Sequence, residues 1–268
     1  MSVKKNYTKG EIVIKPMTAM SSILGKSLTI KGVKMKKVLI LSGAGLSAES
    51  GLRTFRDSDG LWEEYDIMEV CSARGFRANR QKVLDFYDKR RAQLAECEPN
   101  EAHRMIARIK AKYPEQISVL TQNVDDLLER AGCVDVVHLH GFLPEIYCQH
   151  CKKIEYIGYE AINAREHICK CGCKKFRHNI VMFGEIAPFY KVLYNELNAL
   201  RKAENSLFVC IGTSGQVLDV ADFARFAKNS ILNNLDKSDI DHAFNKCYIE
   251  KATTAAPKIE ADIEKFFS

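Results

Sequence analysis

The densest chemistry in this 268-residue chain lies in one window, where Cys148-Gln149-His150-Cys151 is followed 18 residues later by Cys169-Lys170-Cys171-Gly172-Cys173. Paired thiolates on two tight turns suit a tetrahedral zinc ion, and four thiolates leave no open position, so such a zinc is structural. Cys148 and Cys151 form one pair. The second is Cys169 with either Cys171 or Cys173, because the usual two-residue spacer is absent. Five further cysteines, Cys71, Cys97, Cys133, Cys210 and Cys247, are scattered and read as small apolar residues in or near the core. With no secretory signal in the chain, thiol or metal chemistry is expected rather than disulfides.

A second group of residues suits a bound dinucleotide. Gly43-Ala44-Gly45-Leu46-Ser47-Ala48 directly follows the apolar run Lys37-Val38-Leu39-Ile40-Leu41. Glycines there permit a tight turn and close approach of backbone N–H groups to a pyrophosphate. A dehydrogenase would place an acidic ribose anchor about 20 residues further on. The chain instead carries a polar loop with both cations and aromatics, including Arg53, Phe55, Arg56 and Trp62, which disfavours that chemistry. Thr121-Gln122-Asn123-Val124-Asp125 and His138-Leu139-His140-Gly141 each close a β-rich run, at the strand ends where open α/β sheets bind ligands. Asn and Asp there suit ribose hydroxyls, and His140, beside Gly141, is the candidate general base. His138 is read as structural.

These residues need a scaffold that gathers strand ends. Apolar runs at 37–41, 117–120, 134–139, 180–183 and 207–211 alternate with helical-period stretches at 80–96, 101–112 and 126–131. That alternation predicts an α/β protein with a Rossmann-type, doubly wound parallel sheet. The pattern breaks between Tyr147 and Arg177, so a small zinc-binding domain is expected as an insertion at about residues 145–178. Composition agrees with a globular protein, with 46% apolar and 28% charged residues. The net charge of +6 resides in residues 1–34, which hold seven Lys against Glu11 alone, while residues 35–268 carry 33 basic and 33 acidic groups. Residues 1–34 are therefore read as a basic N-terminal extension. No run approaches the roughly 18 apolar residues of a membrane span, and no nucleic-acid face is indicated. The expectation is a cytoplasmic protein without a membrane partner.

Taken in order, Gly43 to Gly51, Thr54-Phe55-Arg56, Pro99-Asn100-Glu101-Ala102-His103, Thr121 to Asp125, His138 to Gly141, the paired cysteines, Phe183-Gly184-Glu185 and Gly212-Thr213-Ser214 make the chain resemble the sirtuin family of NAD-dependent protein deacylases. The likeness spans residues 35–268. It implies a catalytic domain with NAD as co-substrate lying between a Rossmann-type domain and one structural zinc module. Carried over by position, Gly43, Ala44, Gly45 and Ala48 would cradle the phosphates. Arg53, Phe55, Arg56 and Trp62 would belong to the loop covering the nicotinamide. Gln122, Asn123 and Asp125 would face nicotinamide and its ribose, Asn123 and Asp125 acting with His140 in catalysis. Gly212, Thr213, Ser214, Asn234, Asp236 and Ala252 would hold the rest of the cofactor. In the family's reaction the acyl oxygen of a modified lysine attacks the ribose as nicotinamide leaves, and the implied role of His140 is to deprotonate a ribose hydroxyl on the way to O-acyl-ADP-ribose. Phe183, Gly184 and Glu185 would lend a strand edge to an extended acyl-lysine peptide.

Tyr87 and Arg90 stand three apart on a predicted helix and share a face. A phenol hydroxyl and a guanidinium together clamp a carboxylate. The pair resembles the one marking sirtuins that prefer succinyl- and malonyl-lysine, with Cys71 where that class has Ala; the same residues also suit an ordinary amphipathic helix with its cations in water. Departures from the family pattern are Asp126, Leu128, Asp219 and His178. An ADP-ribosyltransferase on the same scaffold and a non-enzymatic zinc-ribbon binding module are the competing readings.

Overall fold

The computed structural model describes residues 36–52, 65–162 and 167–268. The basic extension and Arg53, Phe55, Arg56 and Trp62 lie outside the described residues. The described strands are β1 (Lys36–Ser42), β2 (Ile117–Thr121), β3 (Val136–His138), β4 (Gly141–Cys148), β5 (Ile154–Tyr156), β6 (Phe176–Ile180), β7 (Asn205–Ile211), β8 (Asn229–Asn234) and β9 (Lys246–Ile249). The helices are α1 (Gly45–Ala48), α2 (Ile67–Val70), α3 (Ala73–Ala78), α4 (Arg80–Glu96), α5 (Glu101–Lys112), α6 (Leu127–Arg130), α7 (Tyr190–Lys202), α8 (Val220–Ala224) and α9 (Ala252–Phe267).

Six strands form a parallel sheet in the order β3-β2-β1-β7-β8-β9. Its centre is apolar on both faces because helices cover both. Alternate residues of β1 separate accordingly: Val38 and Ile40 pack with α5 and α9 through Met105, Ile106 and Ile259, while Leu39 and Leu41 pack with α7 through Leu193 and Leu197. The sheet reverses between β1 and β7, which pair directly with Ser42 beside Ile211. Ligand sites in doubly wound sheets lie at such switch points, beyond the carboxyl ends of the strands. Among the described residues no helix is long and apolar enough to cross a membrane.

A second, antiparallel sheet of order β5-β4-β6 carries the cysteine window. Residues 180–183, expected as a strand of the main sheet, do not belong to it. Ile180 ends β6 opposite Gly141, and Val181 then donates to the His140 carbonyl while Phe183 donates to Cys71. A short apolar run carries no information about its partner, which is why local pattern misassigned it. β8 went unrecognised because only Ile231 and Leu232 interrupt its Asn and Ser residues.

Local signals set the helix limits. Asn79 caps α4 by accepting from the Lys82 N–H. Asn100 and His103 form a capping box at the start of α5. The cations of α4 do not all face water: Arg91 is fully buried, with its guanidinium donating to the Leu143 and Glu160 carbonyls at 2.7–2.9 Å. It ties α4 to β4 and thereby positions the face that carries Tyr87.

Candidate active site

A cavity of ≈ 720 Å³ opens beyond the carboxyl ends of the main strands. It brings together Gly43, Ala44, Gly45 and Ala48 after β1, Gln122, Asn123 and Asp125 after β2, His140 after β3, and Gly212, Thr213 and Ser214 after β7. Asn234, Asp236 and Ala252 line the same space, as do Tyr87 and Arg90 of α4 and Phe183, Gly184 and Glu185.

The glycines meet a constraint between two loops. A Cβ on Gly45 would fall 2.7 Å from the Gly212 Cα, and one on Gly43 would fall 2.7 Å from the Thr213 Cβ. The loop after β1 thus rests directly on the loop after β7, with Gly45 N–H donating to the Gly212 carbonyl at 2.9 Å. Gly212 has φ +67, a conformation only glycine adopts freely. Side chains are excluded and backbone lines the cavity floor.

Polar groups converge at the end of β2. The Ser47 hydroxyl donates to Asp125 Oδ2 at 2.9 Å and accepts from Asn123 Nδ2 at 3.0 Å. His103 Nδ1 accepts from the Asn100 N–H, so in the neutral ring Nε2 carries the proton and donates to Ser47 Oγ at 3.2 Å. Burial holds the His103 pKa down to about 3, which keeps the ring neutral. Burial raises the Asp125 pKa, opposed by the Leu127 N–H and the Ser47 hydroxyl. The importance of Ser47 was not read from the sequence, although a hydroxyl in a strand-end glycine loop offered the signal.

His140 is held from behind. Its Nδ1 lies 3.1 Å from the Gln122 carbonyl, which only accepts, so Nδ1 carries the proton and Nε2 the lone pair. Burial lowers the ring's pKa, opposed by the Gln122 carbonyl. Nε2 accepts from the Tyr190 hydroxyl at 2.9 Å, and Tyr190 also lines the cavity. No motif announces Tyr190 in the sequence. His138 is buried and bonded to the Asn123 carbonyl and the Glu129 carboxylate at 2.9 and 2.7 Å. Burial alone would lower its pKa, but Glu129 and Asn123 raise it to about 9.

On the α4 side, Tyr87 and Cys71 are buried in the same cluster. Burial raises both pKa values, that of Cys71 to about 11, so both groups stay protonated. Burial lowers the Arg90 pKa, while Asp125, Cys71 and Tyr87 favour its charge. His178 donates to Asp88 at 2.7 Å and lies against the Tyr87 ring, with centroids 5.4 Å apart. The Glu185 carboxylate is held by Arg177 at 2.6 and 3.0 Å and by the Met182 N–H, so it shapes its own loop.

The thiolates of Cys148, Cys151, Cys169 and Cys171 gather apart from this cavity, all within 4.8 Å of one another. A tetrahedral site with zinc–sulfur bonds of about 2.3 Å has edges of about 3.8 Å. The Cys148–Cys171 and Cys151–Cys169 pairs stand at 3.7 and 3.5 Å, so these four residues fit a structural zinc. Cys173 turns away and takes the Lys175 N–H.

Comparisons with known proteins agree with this geometry. Residues 43–219 match the Sir2 family model. A Campylobacter jejuni (strain RM1221) protein named NAD-dependent protein deacylase is 58% identical over 234 residues, covering 87% of this chain and 97% of that protein. A Helicobacter hepaticus protein of the same name is 39% identical over 257 residues, covering 87% and 99%. Among solved structures, a Sir2 homologue in complex with NAD aligns with TM-score 0.74 at 31% identity, over 87% of this chain and 91% of that one. A strand-end cavity of this composition, the adjoining four-thiolate centre and likeness along nearly the whole described chain lead to one conclusion: the chain belongs to the Sir2 family.

Proposed function

We propose that this chain is an NAD-dependent protein-lysine deacylase that removes succinyl and malonyl as well as acetyl groups, with residues 35–268 as its catalytic domain and about 145–178 as its zinc module. The observation that carries the reading is that His140, the glycine loop and the Tyr87/Arg90 pair line one cavity. Its volume of ≈ 720 Å³ falls within the roughly 300–1,000 Å³ of small-molecule sites, and its lining suits a dinucleotide: exposed backbone at the loops, amides and carboxylates where ribose hydroxyls bind.

Bound NAD supplies an electrophilic ribose carbon and nicotinamide as leaving group. The protein's own part is positioning and proton transfer. Gln122, Asn123 and Asp125 orient the sugar and nicotinamide, with Ser47 fixing the relative placement of Asn123 and Asp125. His140, with its lone pair on Nε2, is the base for a ribose hydroxyl. Tyr87 and Arg90 meet the terminal carboxylate of an acidic acyl chain, in a pocket where the guanidinium is sheltered enough for the pairing to matter. The substrate peptide lies extended along 183–185; Gly184, at φ +85, and exposed Phe183 support this, while Arg177 braces the loop through Glu185. Cys148, Cys151, Cys169 and Cys171 would hold a zinc ion that fixes the small sheet, which begins at Gly141, next to the base.

The test is turnover, followed by mass spectrometry, of one lysine peptide carrying acetyl, malonyl or succinyl with NAD, comparing the intact protein with Arg90→Met. Preference for the acidic acyl groups that collapses in the variant supports the reading. Acetyl preference indifferent to Arg90 reduces the function to plain deacetylation.

A further inference from the structure

The His140 ring is engaged at both nitrogens. Its Nδ1–H is committed to the Gln122 carbonyl, and the single in-plane lone pair at Nε2 is taken by the Tyr190 hydroxyl at 2.9 Å. A substrate hydroxyl therefore meets no free lone pair on this imidazole. It meets the phenol oxygen, which retains acceptor capacity while its proton points at Nε2. Tyr190 is firmly held: it opens α7, whose Leu193, Leu197 and Leu200 are fully buried against the sheet, and its ring packs against that same core. Its ring centroid stands 5.9 Å from that of His140.

We propose that Tyr190 relays the proton between the substrate hydroxyl and His140, an inference that rests on the reading of His140 as the base. The substrate O–H bond breaks and a bond from that proton to the Tyr190 oxygen forms. In the same step the Tyr190 O–H bond breaks and its proton bonds to His140 Nε2. The substrate oxygen keeps its electron pair as the nucleophile, Tyr190 is again a neutral phenol, and the imidazole is a cation. Tyr190 then accepts from the new Nε2–H, so the same oxygen serves both protonation states of the ring.

The second role makes the relay separable from simple packing. A hydrogen bond involving a charged partner is roughly twice as strong as a neutral one. Loss of the phenol oxygen therefore penalises the imidazolium more than the neutral ring, and the His140 pKa falls. The other titratable groups on the elements around the ring are Asp125 and Asp126 beyond β2, His138 at the end of β3, Glu185 before α7, and Lys191, Tyr194, Glu196, Arg201 and Lys202 within α7, all of them retained in the test variant.

The experiment compares the intact protein with Tyr190→Phe in two measurements: NMR titration of the His140 ring without NAD, and kcat and KM for NAD and acyl-peptide. The relay predicts a lower His140 pKa in the variant and a kcat reduced by about 100-fold at nearly unchanged KM, the lower end of general acid–base contributions. An unchanged titration overturns it, as does a kcat equal to or above that of the intact protein, which would make Tyr190 a plug on the base. His140→Asn, assayed alongside, judges the base reading separately: activity in that variant overturns the base, whereas an inactive variant with an unchanged Tyr190→Phe titration overturns only the relay.

Discussion

The Ser47 hydroxyl donates to the Asp125 carboxylate at 2.9 Å across the gap between the loops that follow β1 and β2. Because the same oxygen accepts from Asn123 and from His103, one side chain couples the glycine loop, the polar end of β2 and the first turn of α5. All of Ser47 but about 1% is buried, so water is poorly placed to replace it.

Ser47→Ala leaves the buried His103 ring N–H and the Asp125 Oδ2 atom without a partner, each costing about 1–3 kcal/mol, while Oδ1 keeps the Leu127 N–H. The expected result is a lower thermal midpoint together with at least a tenfold loss of kcat. Thermal melting and steady-state kinetics check both, and a variant that melts and turns over like the parent sinks the junction.

Two histidines give stability differences of opposite sign with pH. The folded-state pKa of His138 is raised to about 9 against an ordinary 6.5, so its pairing with Glu129 contributes fully below pH 6.5 and is lost as pH rises through 9. Burial pushes His178 down to about 4, so its contribution is present above pH 6.5 and lost as pH falls toward 4. The stability advantage of the parent over His138→Gln should shrink between pH 6.5 and 9, and that over His178→Asn between pH 6.5 and 4. Denaturant unfolding at a series of pH values measures both, and parallel curves would contradict the assignments.

The four-thiolate centre predicts one zinc per chain by metal analysis. Cys171→Ser should lose the metal and Cys173→Ser should keep it, since Cys173 lies outside the cluster that the other four form. Removing zinc with a strong chelator should abolish turnover, although the ion stands apart from the cavity, because β4 leads directly from His140. Retained activity without metal would refute this structural coupling.

On the proposed acidic-acyl reading, the Cys71 thiol, buried in the same cluster as Tyr87, competes with the acyl carboxylate for the Tyr87 hydroxyl. Cys71→Ala frees that donor and should raise the succinyl-to-acetyl ratio of kcat/KM by about threefold or more. A ratio unchanged in side-by-side assays would mean that the Cys71 thiol does not tune selectivity.

Much of this was legible in the sequence where the signal is local. The limits of α4 and α5 follow from Asn79 and Asn100 capping uninterrupted helical patterns, and β1 from a buried run ending in glycine. The thiolate cluster followed from spacing, with the choice between Cys171 and Cys173 left to geometry. What escaped depends on partners distant in the chain. Residues 180–183 pair with the His140 and Cys71 backbones, Arg91 turns inward to carbonyls of β4 and Glu160, and Tyr190 reaches a histidine 50 residues away. Periodicity describes which face a residue occupies and is silent on what the fold brings to that face.

The most direct test of the whole account is the stoichiometry of nicotinamide release against lysine freed, measured by mass spectrometry with and without acyl-peptide. The account predicts one nicotinamide for each acyl group removed, nicotinamide release that depends on acyl-peptide, and loss of both in His140→Asn. Nicotinamide release that ignores acyl-peptide, with ADP-ribose appearing on protein, would contradict deacylation and make the chain a transferase.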